Sequence, residues 1–258
     1  MYNRPRVIPC LLLKDQGLVK TIKFTSPNYL GDPINAVKIF NEKGVDELCL
    51  LDITASREGK GPDFDFLLSI ATEAFMPMSY GGGITSFEQI KKLFYIGFEK
   101  VILNTALIRN PSLISEASKY VGKQSIVASI DVKTELLGKK YCYILDGTER
   151  IKINPIDLAK NAEQLGAGEI LINSINNDGT MQGYDIELIK QVSNSVSIPV
   201  IACGGASNVT DIKRVLTEGE AHAAAAGSMF VYFGKKKAVL INFPSEQEFI
   251  AEGVYSNE

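Results

Sequence analysis

The sequence predicts a (β/α)8 TIM barrel with a two-fold half-barrel repeat. Three observations carry that prediction. The chain has 258 residues, close to the about 250 that one such barrel needs, though doubly wound folds also fit that length. Continuously apolar strand segments alternate with helical segments throughout, as in parallel sheets covered by helices. The chain also repeats itself. Pro77-Met78-Ser79-Tyr80-Gly81-Gly82-Gly83 returns as Pro199-Val200-Ile201-Ala202-Cys203-Gly204-Gly205, an offset of 204 − 82 = 122 residues. The same offset joins Glu47 to Glu169. One barrel domain is therefore expected over residues 1–258, with half-barrels at about 1–122 and 123–258.

The elements follow in order. Strand one is Val7 to Leu13. A loop with Lys20-Thr21 leads to Asp32-Pro33, a cap followed by a first-turn proline. The helix after it ends at Gly44. Strand two, Leu48 to Leu51, ends at Asp52, and a helix is expected from about Asp63 to Phe75. Strand three ends in Gly81-Gly82-Gly83, and Thr85-Ser86-Phe87-Glu88 reads as a capping box. Strand four, Val101 to Leu103, ends in Asn104-Thr105, and Asn110-Pro111 opens the next helix. Strand five, Ile126 to Ile130, ends at Asp131. Asp146-Gly147 between Tyr141–Leu145 and Arg150–Ile153 reads as a hairpin above the barrel mouth. Asn154-Pro155 opens helix five, and Gly166 closes it. Strand six, Ile170 to Ile172, precedes a loop containing Asp178-Gly179, and Asp185 starts helix six. Strand seven ends at Gly204-Gly205. Helix seven runs from about Val209 to Leu216, and strand eight ends at Gly227-Ser228. The tail does not read as a good final helix, and Lys235-Lys236-Lys237 reads as a solvated turn.

Almost every strand ends in a polar residue or glycine, and in a barrel those ends share the face where active sites lie. A glycine-rich turn running into a helix start favours an anion. Two such turns at matching positions suggest a ligand with a phosphate at each end. The formal net charge of −3 gives no broad nucleic-acid footprint. No segment is long and apolar enough for a membrane. The first apolar run contains Pro9 and reads as a strand rather than a signal peptide. A cytoplasmic protein is expected. Cys10, Cys49, Cys142 and Cys203 form no Cys-x-x-Cys motif and read as core thiols. His222 is the only histidine, so a multi-histidine zinc site is excluded. Neither metal nor cofactor is expected, and proton transfer must fall to Asp, Glu, Lys, Tyr or Cys.

Seven motifs then carry a resemblance over nearly everything from Arg4 to Phe230. They are Ile8-Pro9-Cys10-Leu11, Gly31-Asp32-Pro33, Leu51-Asp52-Ile53-Thr54-Ala55-Ser56, Gly81-Gly82-Gly83-Ile84, Ser129-Ile130-Asp131-Val132-Lys133, Gly166-Ala167-Gly168-Glu169-Ile170-Leu171 and Asp178-Gly179-Thr180. Together they resemble the cyclase subunit of imidazole glycerol phosphate synthase, of histidine biosynthesis. The resemblance implies a glutaminase partner on the N-terminal face of the barrel. Its ammonia would pass through the barrel to attack a bis-phosphorylated substrate. The resemblance places Gly82, Gly83, Asn104 and Thr105 at one phosphate. Asp178, Gly179, Gly204, Gly205, Gly227 and Ser228 fall at the other. Lys20 would lie on a mobile loop that closes over the substrate. Arg6, Glu47, Lys100 and Glu169, at the opposite strand ends, would form an ammonia gate of salt bridges.

One position departs from the family. The resemblance implies two aspartates as acid and base; one matches Asp131, and the other falls on Leu12, which cannot transfer a proton. Asp15 is a nearby substitute to be tested. The combination resembles a paralogue branch of bacterial surface-polysaccharide clusters, in which such a pair supplies ammonia to a separate sugar amidotransferase. The expected function is ammonia channelling for sugar amidation. A genuine histidine-pathway cyclase and a sugar-phosphate isomerase of the same barrel superfamily are the alternatives.

Overall fold

The computed structural model describes residues 4–234 and 236–256. Eight parallel strands close into a barrel: β1 (Arg6–Lys14), β2 (Leu48–Asp52), β3 (Met78–Gly81), β4 (Lys100–Leu103), β5 (Ile126–Thr134), β6 (Glu169–Ser174), β7 (Val200–Cys203) and β8 (Ala223–Ala226). Each strand pairs with the next in chain order, and β1 pairs with β8, Arg6 opposite Ala223. The (β/α)8 expectation holds.

Period-two alternation sends side chains to two cores. Inward, Ile8, Cys10, Leu12, Cys49, Ile102, Val127, Leu171, Ile201 and Cys203 fill the barrel. Outward, residues such as Val7, Leu11, Leu48, Leu50 and Ile170 meet the helices. The helices are α1 (Pro33–Lys43), α2 (Phe64–Ala71), α3 (Phe87–Tyr95), α4 (Thr105–Arg109), α5 (Ser112–Val121), α6 (Pro155–Leu165), α7 (Ile186–Ser193), α8 (Val209–Thr217), α9 (Ser228–Val231) and α10 (Glu246–Ala251). The expected caps act as such. Asp32 accepts from the Ile34 amide, Asn154 from Asp157 and Asp185 from Leu188.

Five differences from the sequence reading have local causes. The stretch read as a loop after β1 is an antiparallel hairpin, Gly17–Ile22 with Thr25–Gly31. Asp15 and Gln16, both at positive φ, turn β1 back on itself so that Gly17 pairs with Lys14. The box opening α3 is Ser86 with Gln89, not Thr85 with Glu88. Helix α2 stops at Ala71, short of Phe75. A short extra helix, α4, starts at Thr105 directly after β4, ahead of the helix expected at Asn110-Pro111, which is α5 with Pro111 at its N-cap. The tail does end in a helix, α10. Ser245 and Glu248 form its capping box, and Phe249 packs 4.8 Å from Tyr255 and 5.5 Å from Phe243 between ring centroids. Its six residues are too few for a clear helical period, so the box was the only usable signal. Lys236 and Lys237 sit in an exposed turn; Lys235 lies outside the described residues. Among the described residues no helix is long and apolar enough to cross a membrane.

Candidate active site

Both ends of the barrel are built from residues singled out above. At the N-terminal end, Arg6 Nη1 lies 2.5 Å from Glu47 and Nη2 2.6 Å from Glu169. Lys100 Nζ lies 2.9 Å from Glu47 and 3.0 Å from Glu169. Two cations and two anions alternate in a closed ring across the barrel floor. Glu47 and Glu169 are buried. Above the ring runs a mostly apolar cavity of about 240 Å³, counted to its open ends and lined by Ile8, Cys49, Ser79, Ile102, Val127, Leu171, Ile201 and Ala225, with Glu47 of the ring as its one charged residue. Such a lining favours a small neutral molecule over an ion, because an unpaired charge there would lose its hydration. His222 also belongs to this floor; its Nδ1 accepts the Val200 amide.

At the C-terminal end the strand ends surround a cleft of about 1080 Å³, counted to its open rim. Every expected site residue of that face lines it: Leu12, Lys20, Gly82, Gly83, Asn104, Thr105, Asp131, Asp178, Gly179, Gly204, Gly205, Gly227 and Ser228. The two glycine turns are alike in their packing. A Cβ on Gly83 would fall 2.2 Å from the Lys60 carbonyl, and one on Gly205 2.1 Å from the Gly183 carbonyl. Both have positive φ. Neighbouring loops therefore demand glycine here, independently of any ligand. The pseudo-symmetry continues at β4 and β8, each followed at once by a short helix, α4 and α9.

Lys20 stands on the hairpin rather than on a free loop. It is buried, with Nζ 3.5 Å from Asp178, and Thr21 Oγ1 donates to Asp178 at 3.1 Å. The Asp178 carboxylate thus anchors the hairpin over the mouth. Asp15 sits exposed at the turn and lines a separate cleft with Gln16 and Asp63, so it does not enter the mouth. Leu12 does enter it, 7 % exposed.

Four carboxylates line the cleft: Asp52, Asp131, Asp146 and Asp178. Asp52 accepts from the amides of Thr54 and Ala55, which folds the loop after β2. Asp178 holds the hairpin. Asp131 accepts no hydrogen bond among the described residues, and Asp146 has only Arg57 at 3.7 Å. Burial, and then the charges of Asp146 and Asp178, push Asp131 up to about 8. Burial raises Asp146 to about 6, against the pull of Arg57. Asp146 was not singled out from the sequence as a site residue. The Asp-Gly turn placed it correctly, but nothing marked its carboxyl as facing the cleft.

The raised Asp131 value has a definite sign in stability. An unfolded Asp titrates near about 3.9, so between about pH 4 and pH 8 the folded chain binds the extra proton. Raising the pH through that window weakens the fold. Asp131→Asn removes this extra proton binding. Its melting temperature relative to the native chain is expected to climb from pH 5 to pH 8. Parallel melts at a series of pH values check this, and a difference that is flat with pH would contradict it.

Among the described residues, two buried polar atoms of the cleft have no hydrogen-bond partner, Asn173 Oδ1 and Ser228 Oγ. Native interiors rarely leave such atoms unpaired, so both mark the cleft as a place for a polar ligand.

The fold and this site together define a (β/α)8 barrel with a ligand cleft at the C-terminal strand ends and a charged ring closing the other end. Residues 6–237 match the family model described as histidine biosynthesis protein, and the chain belongs to that family. Two relatives are each 48% identical over 246 residues, 95% of this chain. One, from Leptospira interrogans, is named "Putative imidazole glycerol phosphate synthase subunit HisF" and is covered over 97% of its length. The other, from Vibrio vulnificus strain YJ016, is named "Putative imidazole glycerol phosphate synthase subunit hisF3" and is covered over 95% of its length. The imidazole glycerol phosphate synthase subunit HisF of Alkaliphilus metalliredigens is 39% identical over 88% of this chain and 90% of its own.

Proposed function

We propose that this chain is the ammonia-receiving barrel of a glutamine amidotransferase pair. In this reading a glutaminase subunit docks over the floor formed around Arg6, Glu47, Lys100 and Glu169. Ammonia enters through the ring, crosses the apolar lumen and reaches the cleft. The ring is the observation that carries the reading. Four charged side chains facing inward at one strand level is a costly arrangement, since buried ion pairs repay their desolvation poorly. A gate gives them a purpose that stability does not.

The cleft then takes a phosphorylated small molecule. Gly82, Gly83, Asn104 and Thr105 face one phosphate. Gly179, Gly204, Gly205, Gly227 and Ser228 face the other, with Lys20 supplying positive charge between Asp178 and the ligand. Backbone amides at the starts of α4 and α9 suit phosphate oxygens. Asp131 acts as the proton-transfer group. Leu12 leaves the expected second group apolar, so the chain is a weak cyclase and its ammonia serves another acceptor. Sugar amidation in surface-polysaccharide biosynthesis, through a separate sugar amidotransferase, is the acceptor reaction we favour. The histidine-pathway cyclisation remains the second reading, favoured by the preserved Asp131 and the match to the family. A sugar-phosphate isomerase would have no use for the ring.

The test has two arms. A glutaminase subunit of the same genome, co-expressed with this chain, is expected to co-purify and to hydrolyse glutamine faster when the chain is present. The isolated chain, given ammonia and the family's bis-phosphorylated substrate, is expected to cyclise roughly 10²- to 10⁴-fold more slowly than a relative with both aspartates. Cyclisation at the relative's rate would move the chain to the histidine pathway, and failure of any glutaminase to bind would remove the conduit.

A further inference from the structure

The outlet of the lumen is lined by acceptors that have nothing to accept from. Asn173 Oδ1 is buried without a hydrogen-bond partner among the described residues. Asn173 lies directly opposite Asp131 on the adjacent strand, β6 against β5. Asp131 is 9 % exposed, Asn173 6 %, and both line the cleft. A buried acceptor left without a donor costs about 1–3 kcal/mol, so the pair calls for a ligand that carries donors. Anions do not suit this spot, because Asp131, Asp146 and Asp178 act on one another there. The cleft adjoins the lumen through Ile102, which lines both, and Leu171, two residues before Asn173 on the inward face of β6, lines the narrow cavity. Whatever fits must be small enough for that cavity.

We propose that Asn173 and Asp131, with Asp146 on the same cleft, form a holding site for ammonium at the outlet of the lumen. The inference rests on the ammonia-receiving reading and adds a station to it. Ammonia arriving through the apolar lumen takes the proton of the Asp131 carboxyl. The nitrogen lone pair forms the new N–H bond, and the O–H bonding pair stays on the carboxylate. The resulting ammonium donates to the Asp131 carboxylate and to Asn173 Oδ1, and the nearby Asp146 charge favours it. Return of the proton to Asp131 releases ammonia with its lone pair free for attack. Burial keeps the Asp131 proton in place at neutral pH. The charged and titratable groups around Asp131 are Asp146, Asp178 with its partner Lys20, the Cys10 thiol, and Cys142 and Tyr143 of the adjoining antiparallel strand. The site turns a molecule that would diffuse into the open cleft into an ion pair held beside the acceptor.

The experiment follows the carbon-13 carboxyl resonance of Asp131 through a pH titration of the isolated chain. The resonance is assigned by its loss in Asp131→Asn. Titrations in ammonium chloride, potassium chloride and sodium chloride are run at equal ionic strength. The Asp131 midpoint is expected to fall by about one pH unit in ammonium relative to sodium, because ammonium binds the deprotonated form. Asn173→Ala is expected to remove most of that difference while leaving the dispersion of the spectrum native. Equal midpoints in ammonium and sodium would overturn the site. So would potassium matching ammonium, which would mark a general cation site, and so would a full ammonium shift in Asn173→Ala. No partner protein is needed. An ammonium shift in a chain that binds no glutaminase would therefore separate this site from the conduit reading.

Discussion

Leu12→Asp is expected to raise ammonia-driven cyclisation of the family's bis-phosphorylated substrate by roughly 10²- to 10⁴-fold, the usual worth of a positioned acid–base group. Leu12 lines the same cleft as Asp131, and its backbone is fixed by pairing on both sides, to Leu51 of β2 and to Val19 of the hairpin. A new carboxyl there has a defined place and shares the cleft with Lys20, the cation beside Asp178. The substitution also removes an apolar side chain that is 7 % exposed and buries an ionisable one, which costs a few kcal/mol on the order of a buried polar group. The variant should melt lower and turn over faster, a combination that simple loss of folding does not produce. Steady-state rates with saturating ammonia, beside thermal melts of both proteins, provide the check. Unchanged turnover in a folded variant would mean that the cleft has lost more than one proton-transfer group.

Glu47→Ala is expected to have the largest effect on the fold. Glu47 bridges Arg6 and Lys100; without it the ring holds two cations against Glu169 alone. Breaking a buried pair by removing one partner costs about 3–5 kcal/mol. For a chain of this size that is a fall in melting temperature on the order of 10 °C. Replacing the whole ring by apolar residues of similar volume should cost far less, since well-packed apolar groups often match a buried ion pair. The comparison separates a structural ring from a functional one. A stable, ring-less barrel that no longer couples to glutamine hydrolysis would assign the charges to the gate. A ring-less barrel that couples normally would assign them to the floor's architecture.

The sequence carried the barrel because its signals were redundant. Asp32-Pro33, Asn154-Pro155 and Asp185 each cap a helix in the way their chemistry dictates. The 122-residue echo placed both glycine turns on one cleft. The ring was legible only through the family resemblance, because charged residues beside strands are common and their inward direction depends on closure of the barrel. The hairpin Gly17–Gly31 was missed because neither turn that builds it holds a glycine: Asp15 and Gln16 take positive φ where β1 turns back, and Lys23 and Phe24 do so at the hairpin's own tip. Asp146 and Asn173 were missed for a different reason. What distinguishes them is the absence of a hydrogen-bond partner, and that is a property of the packed cleft, not of any spacing along the chain.

The most direct test of the conduit uses the cyclising Leu12→Asp variant in complex with its glutaminase. Glutamine carrying nitrogen-15 in its side-chain amide is supplied together with an excess of unlabelled ammonium chloride, and the isotope in the product is read by mass spectrometry. Ammonia carried through the ring and lumen predicts a product that keeps the glutamine label despite the excess. A product diluted to the isotope ratio of the bulk solution would contradict passage through the barrel.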